Sequence, residues 1–377
     1  MAVAVPGGLR PTQHSPTEGN CESTPSRGKS HRLRGAAMAI AGVAALAIVI
    51  PQASSGATGH GGTAAAQQTA ASASGVPTFA HLPADQAAHP SATHEAWYTV
   101  GHVSSHGHEY GYEVTLTNNG EADAAITDVT AGKYYSQRVA YKAGEFSLSS
   151  TELDVRMPNA TLSGPMNAMH LTATLPEGSL DLQLSARGPA MYGNGTGLFP
   201  FLAGYSYYYS LPDLQTSGTL TLNGKTSKVT GKSWLDRQWG SWDSSQISKW
   251  TWMAVQLDNG DSINLWDLFS KQGEDHWATV LHRDGSESVV SVTPLTKDAT
   301  DFQTSPTTGQ RYAGKWTVEI PSLKTRLTVT ATPTLQEIQA KQSFSPGINE
   351  AASTVTGSYQ GEPIAGKAYV EQVGIWK

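Results

Sequence analysis

Cysteine is all but missing from this 377-residue chain: the only one, Cys21, lies far upstream of the strand-rich region. That excludes a disulfide framework, a thiol nucleophile and a thiolate metal site from the folded part, so stability must come from packing. Long apolar runs are scarce too. The most prominent, residues 36–50 (AAMAIAGVAALAIVI), falls short of the roughly 20 residues a spanning helix needs. Basic residues are not in excess: 25 Lys and Arg face 31 Asp and Glu, a net charge of −6. An acidic chain without a basic stripe is a poor nucleic-acid partner. No Gly-x-Ser-x-Gly nucleophile motif occurs. The GKS at 231–233 is no phosphate loop, because Thr226 stands where the upstream glycine belongs and no helical pattern follows.

What is present begins with a targeting pattern. Arg27, Lys29, Arg32 and Arg34 precede the apolar run, and small residues (PQASSGA) follow it. This is the order of a secretory signal, expected over 1–57, with an uncleaved anchor as the alternative. The product would be secreted or periplasmic, with membrane contact only through that segment. Its removal takes Arg10, Arg27, Lys29, Arg32 and Arg34 but only Glu18 and Glu22, so −6 becomes −9. Residues 58–78 are low-complexity and read as a disordered linker.

From Trp97 onward, short β-branched and aromatic runs alternate with turn pairs. Asn223-Gly224, Asn259-Gly260 and Asp284-Gly285 each sit between alternating segments and predict hairpins. Helical periodicity is weak; TLQEIQAKQ (334–342) is the best short candidate. The fold class is therefore all-β and antiparallel. Two segment pairs suggest an internal duplication. WYTVGHVSSHGHEYGYEVTL (97–116) parallels WTWMAVQLDNGDSINLWDLF (250–269), each with Trp first and Gly eleventh. GKSWLDRQWG (231–240) parallels GKAYVEQVG (366–374), which sets Asp236 against Glu371. Two related β domains follow, over 79–242 and 243–377, with 231–242 at their junction, a common place for ligand pockets.

Seven of the ten tryptophans fall between 234 and 277. Strand alternation puts Trp234, Asp236 and Gln238 on one face and Leu235, Arg237 and Trp239 on the other. One reading is an aromatic core with the charges turned outward. The other is an indole-lined cavity in which a buried carboxyl keeps its proton near neutral pH and can donate it. Asp236 and Asp267 are the candidate acids. Glu95, Tyr98 and His102, in THEAWYTVGH (93–102), form a second candidate cluster beside an ordinary first-strand reading. His102, His106 and His108 bracket a glycine turn, which favours a solvated loop over a metal site; no metal is expected.

The order HLPADQAAHP (81–90), HEAWYTVGHV (94–103), GYEVTL (111–116), YYYSLPDLQTSGTLTLNGKTSKVTGKSWLDRQWG (207–240) and GKAYVEQVG resembles the carotenoid 1,2-hydratase and AttH-like family. That family includes kievitone hydratase-like proteins, secreted hydrolases and, more distantly, fungal Diels–Alderases. The most specific motif is Asp-(His/Arg)-x-Trp-Gly, here DRQWG. The resemblance implies two lipocalin-like β-barrel domains with a pocket near their interface. It also implies cofactor-free addition of water to, or cyclisation of, hydrophobic isoprenoid or polyketide-like molecules. Asp236, Arg237 and Trp239 match the motif, and Trp266 and Asp267 match an aromatic-plus-Asp pair. Arg237 stands where the hydratases tend to have His, so it would orient a carboxylate rather than shuttle protons. Ala96 replaces one Trp of the usual TEWWY.

Together these readings predict a lyase- or cyclase-type enzyme acting on an apolar unsaturated small molecule. Asp236 or Asp267 would be the general acid, and Trp239, Trp266 and Trp252 would line the substrate site. Arg237 would hold a polar substrate group. Arg237 and Trp239 distinguish the first repeat from the second and are the preferred functional pair, with the recurring acid read as structural. The alternatives are a non-catalytic lipocalin-like carrier and a secreted hydrolase, for which the sequence offers no nucleophile.

Overall fold

A computed structural model describes residues 78–342 and 345–376 and shows nearly all of the alternating segments as antiparallel strands. The signal expected over 1–57, with Cys21, and the linker expected over 58–78 up to its last residue lie outside the described residues.

The first sheet is built from β1 (His94–Ser105), β2 (His108–Thr117), β3 (Glu121–Asp128), β4 (Lys133–Ala140), β5 (Met169–Leu175), β6 (Gly178–Ala186), β7 (Gly204–Leu222) and β8 (Lys225–Ser241). Their spatial order is β4-β3-β2-β1-β8-β7-β6-β5, extended past β5 by three short strands. The second sheet uses β9 (Ile247–Leu257), β10 (Ser262–Ser270), β11 (Gly273–Leu281), β12 (Glu287–Ser291), β13 (Lys315–Ile320), β14 (Thr325–Ala331), β15 (Ser345–Tyr359) and β16 (Glu362–Gly374). Its order, β12-β11-β10-β9-β16-β15-β14-β13, repeats that of the first strand for strand. The expected pair of antiparallel barrels is thus two curled sheets, each a half-barrel. All three predicted turn pairs connect adjacent strands.

Two sequence expectations need correction. The ladders place Asp236 opposite Tyr98 and Glu371 opposite Trp252, so Tyr98 matches Trp252 and Trp97 matches Thr251, one residue on from the Trp97–Trp250 match that the spacing suggested. The shared Trp–Gly spacing conceals hairpins of different length: Val103 pairs with Tyr110 across the first turn, whereas Gln256 pairs with Ser262 across the second. The helical candidate is instead a strand over Glu337–Gln342, beside β15. Its Ile338 and Ala340 are buried on alternate positions, and docking them on a sheet outweighs a weak helical preference over so few residues.

The three larger apolar clusters follow from period-two alternation. One lies inside the first sheet (Trp97, Tyr112, Leu182, Leu235) and one inside the second (Met253, Leu265, Trp316, Val370). The third joins the two sheets through their opposite faces, with Val100, Trp234, Tyr208, Trp252, Trp266 and Tyr369. Fully burying each such large side chain contributes about 1.5–3 kcal/mol. At Gly111 the sheets come so close that a Cβ would lie 2.5 Å from that of Ala352, which only glycine permits.

Candidate active site

One cross-strand row from each sheet faces the seam. On the first sheet the register runs Ser210–Asp236–Tyr98–Thr115–Asp123–Arg138 across β7, β8, β1, β2, β3 and β4. On the second it runs Glu350–Glu371–Trp252–Trp266–Trp277 across β15, β16, β9, β10 and β11. Between them opens a cleft of about 350 Å³, lined by residues of both rows. Tyr98 links the walls: its hydroxyl donates to Glu350 Oε2 at 2.7 Å, and its ring meets Trp252 edge-on at 5.2 Å between centroids.

Asp236 accepts three hydrogen bonds. Ser210 Oγ and Trp234 Nε1 donate to Oδ1 at 2.6 and 2.5 Å, and the Tyr208 hydroxyl donates to Oδ2. These donors favour the carboxylate, but burial opposes it more strongly and pushes the carboxyl up to about 7. A directed chain supports the arrangement from the second sheet. Trp252 Nε1 donates to Asn264 Oδ1 at 3.2 Å, and Asn264 Nδ2 donates to the Tyr208 oxygen at 3.0 Å. Among the described residues Glu371 has a single donor, Trp250 Nε1, 2.7 Å from Oε2. Burial, with the Asp236 charge as a smaller contribution, raises it to about 7 as well. Among the described residues no donor reaches its Oε1. Glu350 is pushed well above the usual carboxylate range by burial and by the neighbouring Glu371 and Glu113.

The structure brings together Asp236, Tyr98, Trp252 and Trp266 in this cleft, with Glu95 also on its lining although its carboxylate is turned to Arg237, and places Arg237, Trp239, Asp267 and His102 outside it. Arg237 and Trp239 occupy the opposite face of β8, inside the first sheet. Arg237 is fully buried, with Nη2 on Glu95 Oε1 and Ala87 O and Nη1 on Ala96 O, each at 2.8 Å. Its guanidinium lies 4.0 Å from the Trp97 ring centre. The carboxylate it was expected to hold is therefore the protein's own Glu95, which also accepts from the His89 ring at 2.7 Å. Trp239 is stacked between His89 and Tyr207, at 4.3 and 5.2 Å. Asp267 lies on the reverse face of β10 from Trp266, 2.5 Å from His276 Nδ1. His102 shares the seam with Tyr98 but lies beyond the cleft. Its Nε2 is 3.0 Å from Ala368 O, and burial lowers its pKa to about 4, so the ring is a neutral donor there.

Sequence reasoning missed Glu371, Glu350, Tyr208 and Arg138 as cleft residues. Glu371 alone carried a signal: it occupies the repeat position of Asp236, and that recurrence was read as structural. The recurring acids face the cleft, whereas Arg237 and Trp239 face the interior of the first sheet.

The AttH-like family matches residues 75–375 of the chain. A dehydratase of Emericella nidulans, asqC, is 26% identical over 322 residues, covering 79% of this chain and 90% of that protein. The crystal structure of a Nitrosomonas europaea protein assigned as an AttH superposes with a TM-score of 0.69 at 22% identity, covering 80% of this chain and 99% of its own. That of kievitone hydratase from Nectria haematococca superposes with a TM-score of 0.66 at 19% identity, covering 77% and 91%. With both half-barrels inside the matched span, the chain belongs to the AttH-like family.

Proposed function

We propose that this protein is a lyase-type enzyme that adds water to, or removes it from, an apolar unsaturated small molecule bound in the inter-sheet cleft. The observation that carries this reading is the pair Asp236 and Glu371, two carboxyls of one tryptophan-lined cleft, each held at about 7. Mutual repulsion favours one proton on the pair near neutral pH, which supplies an acid and a base together. In the dehydration direction, Glu371 Oε1 takes a proton from carbon and the C–H electrons form the double bond. Asp236 holds the pair's one proton at the start; the departing hydroxyl receives the Tyr208 proton and leaves as water, and Asp236 passes its own proton to the Tyr208 oxygen. Hydration is the reverse. Both proton transfers come from the chain's own groups, so the reading calls for no cofactor. The names of the related dehydratase and hydratase support the reaction class.

Mass spectrometry of small molecules co-purifying with the protein would identify the substrate, and turnover would then be measured for Glu371→Gln and Asp236→Asn. Each variant is expected to lose about 10²–10⁴-fold in kcat. Ligand binding with no turnover in the wild type would make the cleft a carrier site instead. The basic-then-apolar order of residues 27–50 supports export of the mature chain, which N-terminal sequencing of the exported protein would test.

A further inference from the structure

The cleft has two chemically different ends. Trp250, Trp252 and Trp266 form one, and such indole surfaces take flat unsaturated groups. Arg138, at the far end of the first-sheet row, belongs to the other. Its Nε donates to Asp123 Oδ1 at 2.6 Å and its Nη2 to Asp123 Oδ2. Its Nη1 is buried, and among the described residues no acceptor reaches it. A buried N–H left in that condition carries a desolvation penalty that an incoming acceptor would relieve.

The surroundings say what kind of acceptor fits. Asp123 already balances the guanidinium charge, and Glu121, Glu113 and Glu350 stand around the same end. An anionic group would meet further carboxyls there, whereas a neutral oxygen would meet a donor fixed in place by the bidentate pair. We propose that Arg138 is a specificity-determining residue whose Nη1 donates to a carbonyl oxygen of the substrate, while an aryl or other flat unsaturated group of the same molecule lies against Trp252 and Trp266. This rests on the cleft being the substrate site proposed above and narrows the substrate to the class of flat, neutral ketones or related carbonyl compounds.

The test uses two naphthalenes of nearly equal shape, 2-acetylnaphthalene and 2-isopropenylnaphthalene, which differ in C=O against C=CH₂. Titration calorimetry with the full chain is expected to give about tenfold tighter binding of the ketone to the wild type, the size of one charge-assisted hydrogen bond. Arg138→Met is expected to erase that margin while leaving the alkene's affinity unchanged. Should Arg138→Met fail to fold, Arg138→Lys keeps a cation beside Asp123 without a second terminal nitrogen, and it too should lose most of the margin. Equal affinities in the wild type, no binding of either probe, or equal weakening of both in the variants would overturn the proposal. Only binding is read, so this result and the absence of wild-type turnover that would overturn the lyase reading are separate outcomes.

Discussion

Asp236 and Arg237 are neighbours in the chain yet serve different interiors: the carboxyl accepts from Tyr208, Ser210 and Trp234 at the seam, and the guanidinium binds Glu95 inside the first sheet. Being on opposite faces of β8, they contribute in separable ways. Arg237→Met removes the hydrogen bonds to a buried Glu95 and to two backbone carbonyls, and should cost about 3–5 kcal/mol of stability. In the fraction that stays folded, KM should change less than twofold. Chemical denaturation alongside steady-state kinetics would check both halves of that expectation.

Glu371→Gln should behave in the opposite way. The glutamine can keep an oxygen facing Trp250 Nε1, so the melting temperature should shift little while turnover collapses. A variant that retained wild-type kcat would remove Glu371 from the chemistry.

The raised carboxyls also set a pH dependence of stability. Asp236 goes from an ordinary 3.8 to about 7 on folding, and Glu371 from 4.5 to about 7, so between these values the folded state holds more protons than the unfolded chain. Stability from this source is complete below about pH 4 and is lost as pH rises through about 7, an effect of up to about 4 kcal/mol for Asp236. Asp85 and Glu95, whose values are lowered, act in the reverse sense at the acid end. Urea midpoints should therefore fall from pH 5 to 7.5, and Asp236→Asn should flatten that slope. A wild-type midpoint that rose over this range would contradict the burial of Asp236.

Asp267→Asn provides the contrast to the cleft acids. Its partner is His276, on the far side of β10 from the cleft, so the substitution should cost about 1–3 kcal/mol of stability and leave kcat and KM near wild type. A loss of turnover as large as that of Glu371→Gln would return Asp267 to the site.

The closeness of the sheets can be tested at Gly111. Gly111→Val would drive its side chain into Ala352, and overpacking of this kind costs about 1–3 kcal/mol or more. The thermal midpoint should fall, and Ala352→Gly should restore part of it.

Much of this architecture could be read from the chain because period-two alternation is a local property. The segment Trp234–Trp239 declares its two faces unaided, and the Asn-Gly and Asp-Gly pairs mark their turns. Which face becomes a cleft is not local. It depends on how two sheets pack, and Glu350 in INEAAST or Arg138 in SQRVA acquires its role only there. Arg237 among indoles looks like a binding group in sequence, but three buried acceptors make it a brace for the first-sheet interior. Strand Glu337–Gln342 went unrecognised because six residues carry too little periodicity to outweigh their context.

The repeated strand order has a consequence for how such a site could arise. A lone half-barrel paired with its own copy would place the same acid on both walls of a symmetric cleft. Joining two copies in one chain frees those positions to diverge. Here one is an aspartate under three donors and the other a glutamate under one, so the two acids of the cleft are no longer interchangeable.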